Sequence, residues 1–274
     1  MSTAHPHMAF IGGGNMASAI IGGLIRQGMA ADQFTVVEPF AETAAKLKAD
    51  FGISALSAAG PALAQADLVV WAVKPQVFAE AAAPVSPHTA QALHLSVAAG
   101  IRTDSIRRWL GSDRVVRSMP NTPALVGQGI TGLFPCPAVS ATDRALVEQV
   151  IRTTGQHVWV EKEAHLDAVT ALSGSGPAYV FYFLEAMTEA GTGMGLSAEQ
   201  SRQLAIATFS GAAALAAASS EPLEVLRQRV TSKGGTTYAA LTAMETAQIK
   251  PAFVKAMQAA EQRARELGDE FGKA

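Results

Sequence analysis

The segment Thr231-Ser232-Lys233-Gly234-Gly235-Thr236-Thr237-Tyr238-Ala239-Ala240-Leu241 sets hydroxyl side chains around two adjacent glycines, directly before an apolar-periodic stretch. That order describes a tight turn opening into a helix, whose first backbone N–H groups have no partner inside the helix. Such N–H groups, with the positive end of the helix dipole, can hold a small anion such as a carboxylate. Ser232, Thr236 and Thr237 add hydroxyls that can be aimed at the same ligand. Taken alone, the segment reads as an ordinary helix cap. A second loop, near the other end of the chain, changes that reading.

Gly12-x-Gly14-x-x-Ala17 follows the apolar run Met8–Ile11 and opens a helical pattern, the context required of a dinucleotide-binding fingerprint. Gly12 permits the tight turn, Gly14 lets a pyrophosphate approach the helix start, and Ala17 keeps helix and strand close. Asn15 and Met16 lie in the same loop. A second strand ends in Val36-Val37-Glu38, with Glu38 21 residues beyond Ala17. An acidic residue there accepts hydrogen bonds from the adenosine ribose and repels a 2′-phosphate. No basic residue follows until Lys46 and Lys48, so cofactor preference stays open at this point. Ala72-Val73-Lys74-Pro75 closes a further strand and would border the cofactor, Lys74 offering a cation to its pyrophosphate or ribose. Asn121, in a loop stiffened by Pro120 and Pro123, can bond the carboxamide or the substrate.

These loops need a rigid frame. Apolar strands at Met8–Ile11, Phe34–Val37, Leu68–Val73, Leu93–Val97 and Val115–Ser118 alternate with helical segments. That alternation predicts an α/β domain, a Rossmann-like doubly wound parallel sheet covered by helices on both faces. Segments near 129–134 and 157–160 extend the sheet. Beyond about residue 160 strand patterns vanish, and helices are expected at 178–190, 198–219, 223–230, 236–246 and 251–267, with Ser197 capping one and Gly195 ending its predecessor. The expected division is residues 1–160, a dinucleotide-binding domain, and 161–274, an all-α domain for substrate binding and dimerisation. Phe209–Ala218 has almost no polar side, and a helix apolar all round needs cover from several directions. An obligate homodimer built on these helices is therefore expected, with a dimeric mass in light scattering at micromolar concentration.

Composition excludes several classes. Residues 1–160 carry 11 basic and 10 acidic side chains and 161–274 carry 10 and 13, so neither part has the basic excess that nucleic-acid binding requires. The single cysteine, Cys136, forms no intrachain disulfide and fits a reducing cytosol. Met1 to His7 holds no apolar signal core, so no export is expected. The apolar run Leu204–Ala218 is 15 residues long, too short for a membrane span. The histidines show no metal-ligand spacing, and no metal is expected.

Taken together, Ile11–Ala17, Ala72–Pro75, Ser96–Gly100, Met119–Pro123, Asp167–Tyr179 and Thr231–Leu241 resemble the pyrroline-5-carboxylate reductases, in the family's order over nearly the whole chain. The resemblance implies a dinucleotide-binding domain, a helical domain that interlocks subunits, and rings of dimers. It further implies NADPH as hydride donor, with NADH accepted, 1-pyrroline-5-carboxylate as substrate and L-proline as product, in the cytoplasm. The substrate carboxylate would rest on N–H groups around Gly234, Gly235 and Thr236 with Ser232 assisting, and Thr237 would bond the ring nitrogen. Ser175, in the small-residue run Ser173–Gly176, is a further expected substrate contact. Many members carry proline where this chain has Lys233, which bears on the stiffness of the turn.

A protonated cyclic imine is already electrophilic, so reduction needs little beyond correct placement of hydride donor and acceptor. The matched segments accordingly contain no histidine and no acid except Asp167, which reads as a helix cap. A 3-hydroxyacid dehydrogenase would need a base, and the group resembling it uses a lysine early in the helical domain. Here no lysine occurs between Lys162 and Lys233. A non-catalytic dinucleotide sensor would explain the first loop but would not require the second.

Overall fold

Met8–Ile11 (β1) is apolar at every position and buried on both faces, as a strand inside a covered parallel sheet must be. The computed structural model describes residues 6–272; the residues at 1–5, part of the stretch without a signal core, lie outside it. Around β1 the sheet adds Phe34–Val37 (β2), Leu68–Trp71 (β3), Leu93–Ser96 (β4), Val115–Met119 (β5), Gly129–Pro135 (β6) and Gly155–Trp159 (β7). The spatial order is β2-β1-β3-β4-β5-β6-β7. Connecting helices are Asn15–Arg26 (α1), Ala41–Phe51 (α2), Phe78–Val85 (α3), Thr103–Leu110 (α4) and Ala141–Arg152 (α5). The expected α/β sheet is therefore present. Its chain order reverses at β1 and β3, the switch point beyond whose carboxyl ends ligands bind in such sheets.

One strand departs from the parallel expectation. β6 runs antiparallel to β5, with Met119 opposite Gly132 and Val116 opposite Pro135. The connection, 120–128, holds only a short 3₁₀ turn and is too short for the crossover that a parallel return needs. β7 then pairs parallel to β6 through α5.

Trp71 and His94 are both fully enclosed in this sheet. The Trp71 indole N–H donates to His94 Nδ1 at 3.1 Å, so the imidazole proton resides on Nε2. Burial, with a smaller contribution from the Arg114 charge, lowers the His94 pKa from 6.5 to about 4. Between those values the unfolded chain binds a proton that the folded chain refuses. Stability is therefore full above pH 6.5 and declines as pH falls toward 4, by roughly 3 kcal/mol at most. Urea midpoints measured from pH 7.5 to 4.5 are expected to show this decline, and His94→Gln to flatten it. An unchanged slope in the variant would assign the acid sensitivity elsewhere.

After β7 come the short helix His165–Val169 (α6) and a π-helical turn, Thr170–Gly174. Then follow Gly176–Gly193 (α7), Ala198–Ala218 (α8), Leu223–Arg229 (α9), Thr236–Thr246 (α10) and Ile249–Phe271 (α11). Gly195 turns the chain at φ +99°, and the Ser197 hydroxyl accepts from Gln200 N–H at the start of α8, as their types require. The chain forms two compact units, one running through Ser175 and rejoined from Ala260, the other Gly176–Ala259. In the first, the end of α11 is tied down by Arg102 to Asp269 at 2.7 Å, and Gly100 leaves room for the Phe271 ring.

In the second unit α7 and α8 approach closely at Gly191, where a Cβ would meet Ser201 Oγ at 2.7 Å. Tyr179 and Phe183 meet Phe253 edge-on with centroids 5.6 Å apart. Yet only Ser201 and Ala205 of α8 are buried, and Phe181, Tyr182, Leu215 and Leu223 stand exposed in the single chain. Among the described residues no helix is long and apolar enough to cross a membrane.

Candidate active site

The first loop is built by three neighbouring strands. Gly12 adopts φ +92°, and a Cβ there would lie 2.6 Å from the Ala72 carbonyl oxygen, so glycine is required on both counts. Its N–H donates to Val37 O at 2.9 Å, and Gly13 N–H donates to Glu38 Oε2 at 2.8 Å. The first internal bond of α1 runs from Ser18 N–H to Gly14 O. The N–H groups of Asn15, Met16 and Ala17 are thus left facing outward, and no side chain caps the helix. A Cβ at Gly14 would meet nothing within 4 Å. Open donors, a helix dipole and no acidic residue in the first turn make a cradle that fits a pyrophosphate.

Ala72 N–H donates to Ile11 O at 2.8 Å, which brings the loop after β3 beside Gly12. Val73 and Pro75 are partly buried there, while Lys74 is exposed and precedes the short turn Pro75–Val77. Glu38 is 7% exposed and follows β2 on the other side of β1. Gly12, Gly14, Asn15, Met16, Glu38, Ala72, Val73, Lys74 and Pro75 are thus gathered at the carboxyl ends of β1, β2 and β3.

Asn121 is engaged differently from a free ligand contact. Its Nδ2 donates to Ser173 O at 3.1 Å, and its Oδ1 accepts from Ile130 N–H at 3.0 Å. The amide thereby ties the loop after β5 to the π-helical turn, in which Ser175 N–H donates back five residues to Thr170 O at 2.8 Å. The Ser175 hydroxyl makes no hydrogen bond among the described residues. Such π-helical turns recur at functional sites.

Asp167 is not the cap its position suggests. It lies within α6, and its carboxylate faces the buried Arg117 guanidinium at 3.7 Å. Burial pushes its pKa up, against the pull of Arg117. Arg117 also bonds Glu163 at 2.9 Å, and Glu163 accepts from both the N–H and the hydroxyl of Thr103 at 2.7 Å. Periodicity carries no signal for this cluster, since its members come from α4, β5, α6 and the turn before α6. Cys136 is buried, and burial raises its pKa, as befits a structural thiol.

In the second unit, Gly235 N–H donates to Ser232 O at 3.0 Å, closing a β-turn over Lys233 and Gly234. Gly234 has φ +75° and Lys233 does not have positive φ, which makes this a type II turn. Proline suits the second position of such a turn, so a residue without that constraint at Lys233 leaves the turn formed but less stiff. Gly235 also caps α10 without side-chain help, and the first internal bond runs from Ala239 N–H to Gly235 O. The N–H groups of Thr236, Thr237 and Tyr238 are left over, whereas that of Gly235 is spent in the turn. Ser232, Thr236 and Thr237 are exposed, and their hydroxyls make no hydrogen bond among the described residues.

Among the described residues no cluster of three or more histidine, cysteine, aspartate or glutamate side chains is placed to hold a metal ion. A family model described as pyrroline-5-carboxylate reductase dimerisation matches residues 163–267, and one described as NADP oxidoreductase, coenzyme F420-dependent, matches residues 7–100. The chain is 44% identical to a pyrroline-5-carboxylate reductase of Pseudomonas aeruginosa, over 100% of both chains. The structure is similar to that of a Coxiella burnetii pyrroline-5-carboxylate reductase, with a TM-score of 0.90 at 37% identity over 96% of this chain and 99% of the other. It is also similar to a Plasmodium falciparum pyrroline carboxylate reductase solved with NADP bound, with a TM-score of 0.86 at 28% identity over 96% and 98%.

Proposed function

The chain belongs to the pyrroline-5-carboxylate reductase family, and from that premise we propose which of its residues perform the reduction of 1-pyrroline-5-carboxylate to L-proline. The enzyme uses NAD(P)H, whose nicotinamide, when bound, supplies a hydride to the imine carbon. Gly12, Gly14, Asn15 and Met16 hold the pyrophosphate on open backbone N–H groups. Ala72, Val73, Lys74 and Pro75 border the same ligand, with the Lys74 ammonium toward its negative charge. Glu38 takes the adenosine ribose. Asn121 acts on the cofactor side by ordering the loop that contains it.

The carboxylate of the substrate rests on the start of α10. The observation that carries this is the set of donors left idle there: N–H groups of Thr236 and Thr237 and hydroxyls of Ser232, Thr236 and Thr237. Gly234 and Gly235 keep that surface bare of side chains, and the Ser175 hydroxyl is a proposed substrate contact in its own right. Thr237 bonds the ring nitrogen and fixes which face of the imine receives hydride. A protonated imine is already electrophilic, so no residue in these segments is assigned the role of proton donor.

The chain is a homo-oligomer of the dimerisation-domain type. The homodimer is formed through the exposed apolar faces of α7 and α8, and dimers assemble further into rings; solution mass at micromolar concentration separates the two sizes. The functional division falls near residue 160, supported by the end of β7 at Trp159 and the family match from residue 163. The cytoplasm is the proposed location, supported by a buried, unpaired Cys136.

Absorbance of NADPH or NADH is expected to fall when pyrroline-5-carboxylate is added and to stay constant with 3-keto acids. Oxidation only with keto acids would favour a hydroxyacid dehydrogenase, and no oxidation with either would favour a sensor.

A further inference from the structure

We infer that Glu38 makes this chain discriminate between its two possible hydride donors, binding NADH in preference to NADPH. The inference rests on the reading of Gly12–Ala17 as a dinucleotide loop. Three backbone contacts fix the residue. Oε2 accepts from Gly13 N–H at 2.8 Å, Oε1 accepts from Phe40 N–H at 2.8 Å, and its own N–H donates to Leu56 O at 2.8 Å. The carboxylate is thereby built into the fingerprint loop on one side and the approach to α2 on the other. It cannot swing aside for a larger ligand without undoing both bonds.

Each carboxylate oxygen offers more than one acceptor site, so a ribose hydroxyl can still be bound after these N–H groups are satisfied. A 2′-phosphate cannot. It brings two negative charges, or nearly so, to a fixed negative group. Sites that accept that phosphate set a cation at this position. Here no lysine or arginine pairs with Glu38 among the described residues. Pro39, Phe40 and Ala41 follow it, Glu42 adds a second exposed carboxylate in the first turn of α2, and the first cation after Glu38 in sequence is Lys46. Phe40, 72% exposed and held by its N–H to Glu38, presents an aromatic face beside the same carboxylate that suits an adenine.

Dissociation constants of NADH and NADPH for the full-length oligomer, read by tryptophan quenching or calorimetry without substrate, test this directly. Wild type is expected to bind NADH about tenfold or more tightly than NADPH, and Glu38→Gln to bring the two within about threefold. Phe40→Arg, at an exposed position that leaves the carboxylate in place, is expected to tighten NADPH by about tenfold. The second variant guards against misfolding of the first. Equal or tighter NADPH binding in wild type, or an unchanged ratio in both variants, would overturn the inference while leaving the dinucleotide loop intact. Failure of both cofactors to bind would overturn the loop assignment as well.

Discussion

Gly14→Ala is expected to leave the melting temperature nearly unchanged while weakening dinucleotide binding by about a hundredfold. Gly12→Ala is expected to damage both. At Gly14 the backbone lies at φ −67° and an added methyl meets no atom within 4 Å, so the fold tolerates it. That methyl would project from the helix cap where the pyrophosphate must approach. At Gly12 the methyl would sit 2.6 Å from a backbone oxygen, on a residue at φ +92°. Left-handed backbone alone costs roughly 1–2 kcal/mol for a side-chain-bearing residue, and a clash with main chain adds to it. Thermal melts and equilibrium binding on both variants separate structural from ligand requirements. Wild-type affinity in Gly14→Ala would mean that no phosphate rests on the start of α1.

Thr237→Ala is expected to lower kcat/KM by roughly ten- to a hundredfold, the loss of one hydrogen bond of about 1–3 kcal/mol, with cofactor affinity unchanged. The variant is clean because Thr237 is exposed, its hydroxyl makes no hydrogen bond among the described residues, and alanine is favoured in a helix. Thr237→Ser should recover most of the activity by restoring the hydroxyl. A change confined to helix stability would move neither parameter in this pattern. Turnover like wild type in the alanine variant would remove Thr237 from the mechanism.

Lys233 shows how a departure in sequence becomes interpretable in structure. From the sequence it is a lysine where the family resemblance implies proline in many members. In the structure it occupies the second position of a type II turn, with Gly234 at φ +75° taking the third. Lysine can adopt that position without strain but does not restrict the unfolded chain as proline would. The turn keeps its shape and loses some stiffness.

The sequence by itself determined the alternation of strands and helices, the Ser197 and Gly195 boundaries, the Gly12–Ala17 loop and the hydroxyl-rich start of α10. Each of these is written in neighbours a few residues apart, through side-chain period, caps and left-handed glycines. Only the tertiary structure decided the reversal of β6, the engagement of Asn121 by Ser173 and Ile130, the pairing of Asp167 with Arg117, and the clamp on Glu38. Asn121 and Ser173 are 52 residues apart, and Gly13 and Glu38 are 25. Periodicity cannot report such pairs, because a buried polar group takes whichever partner the packed elements bring to it. The same limit applied to Gly235, whose N–H looked open in sequence until the turn closed on Ser232.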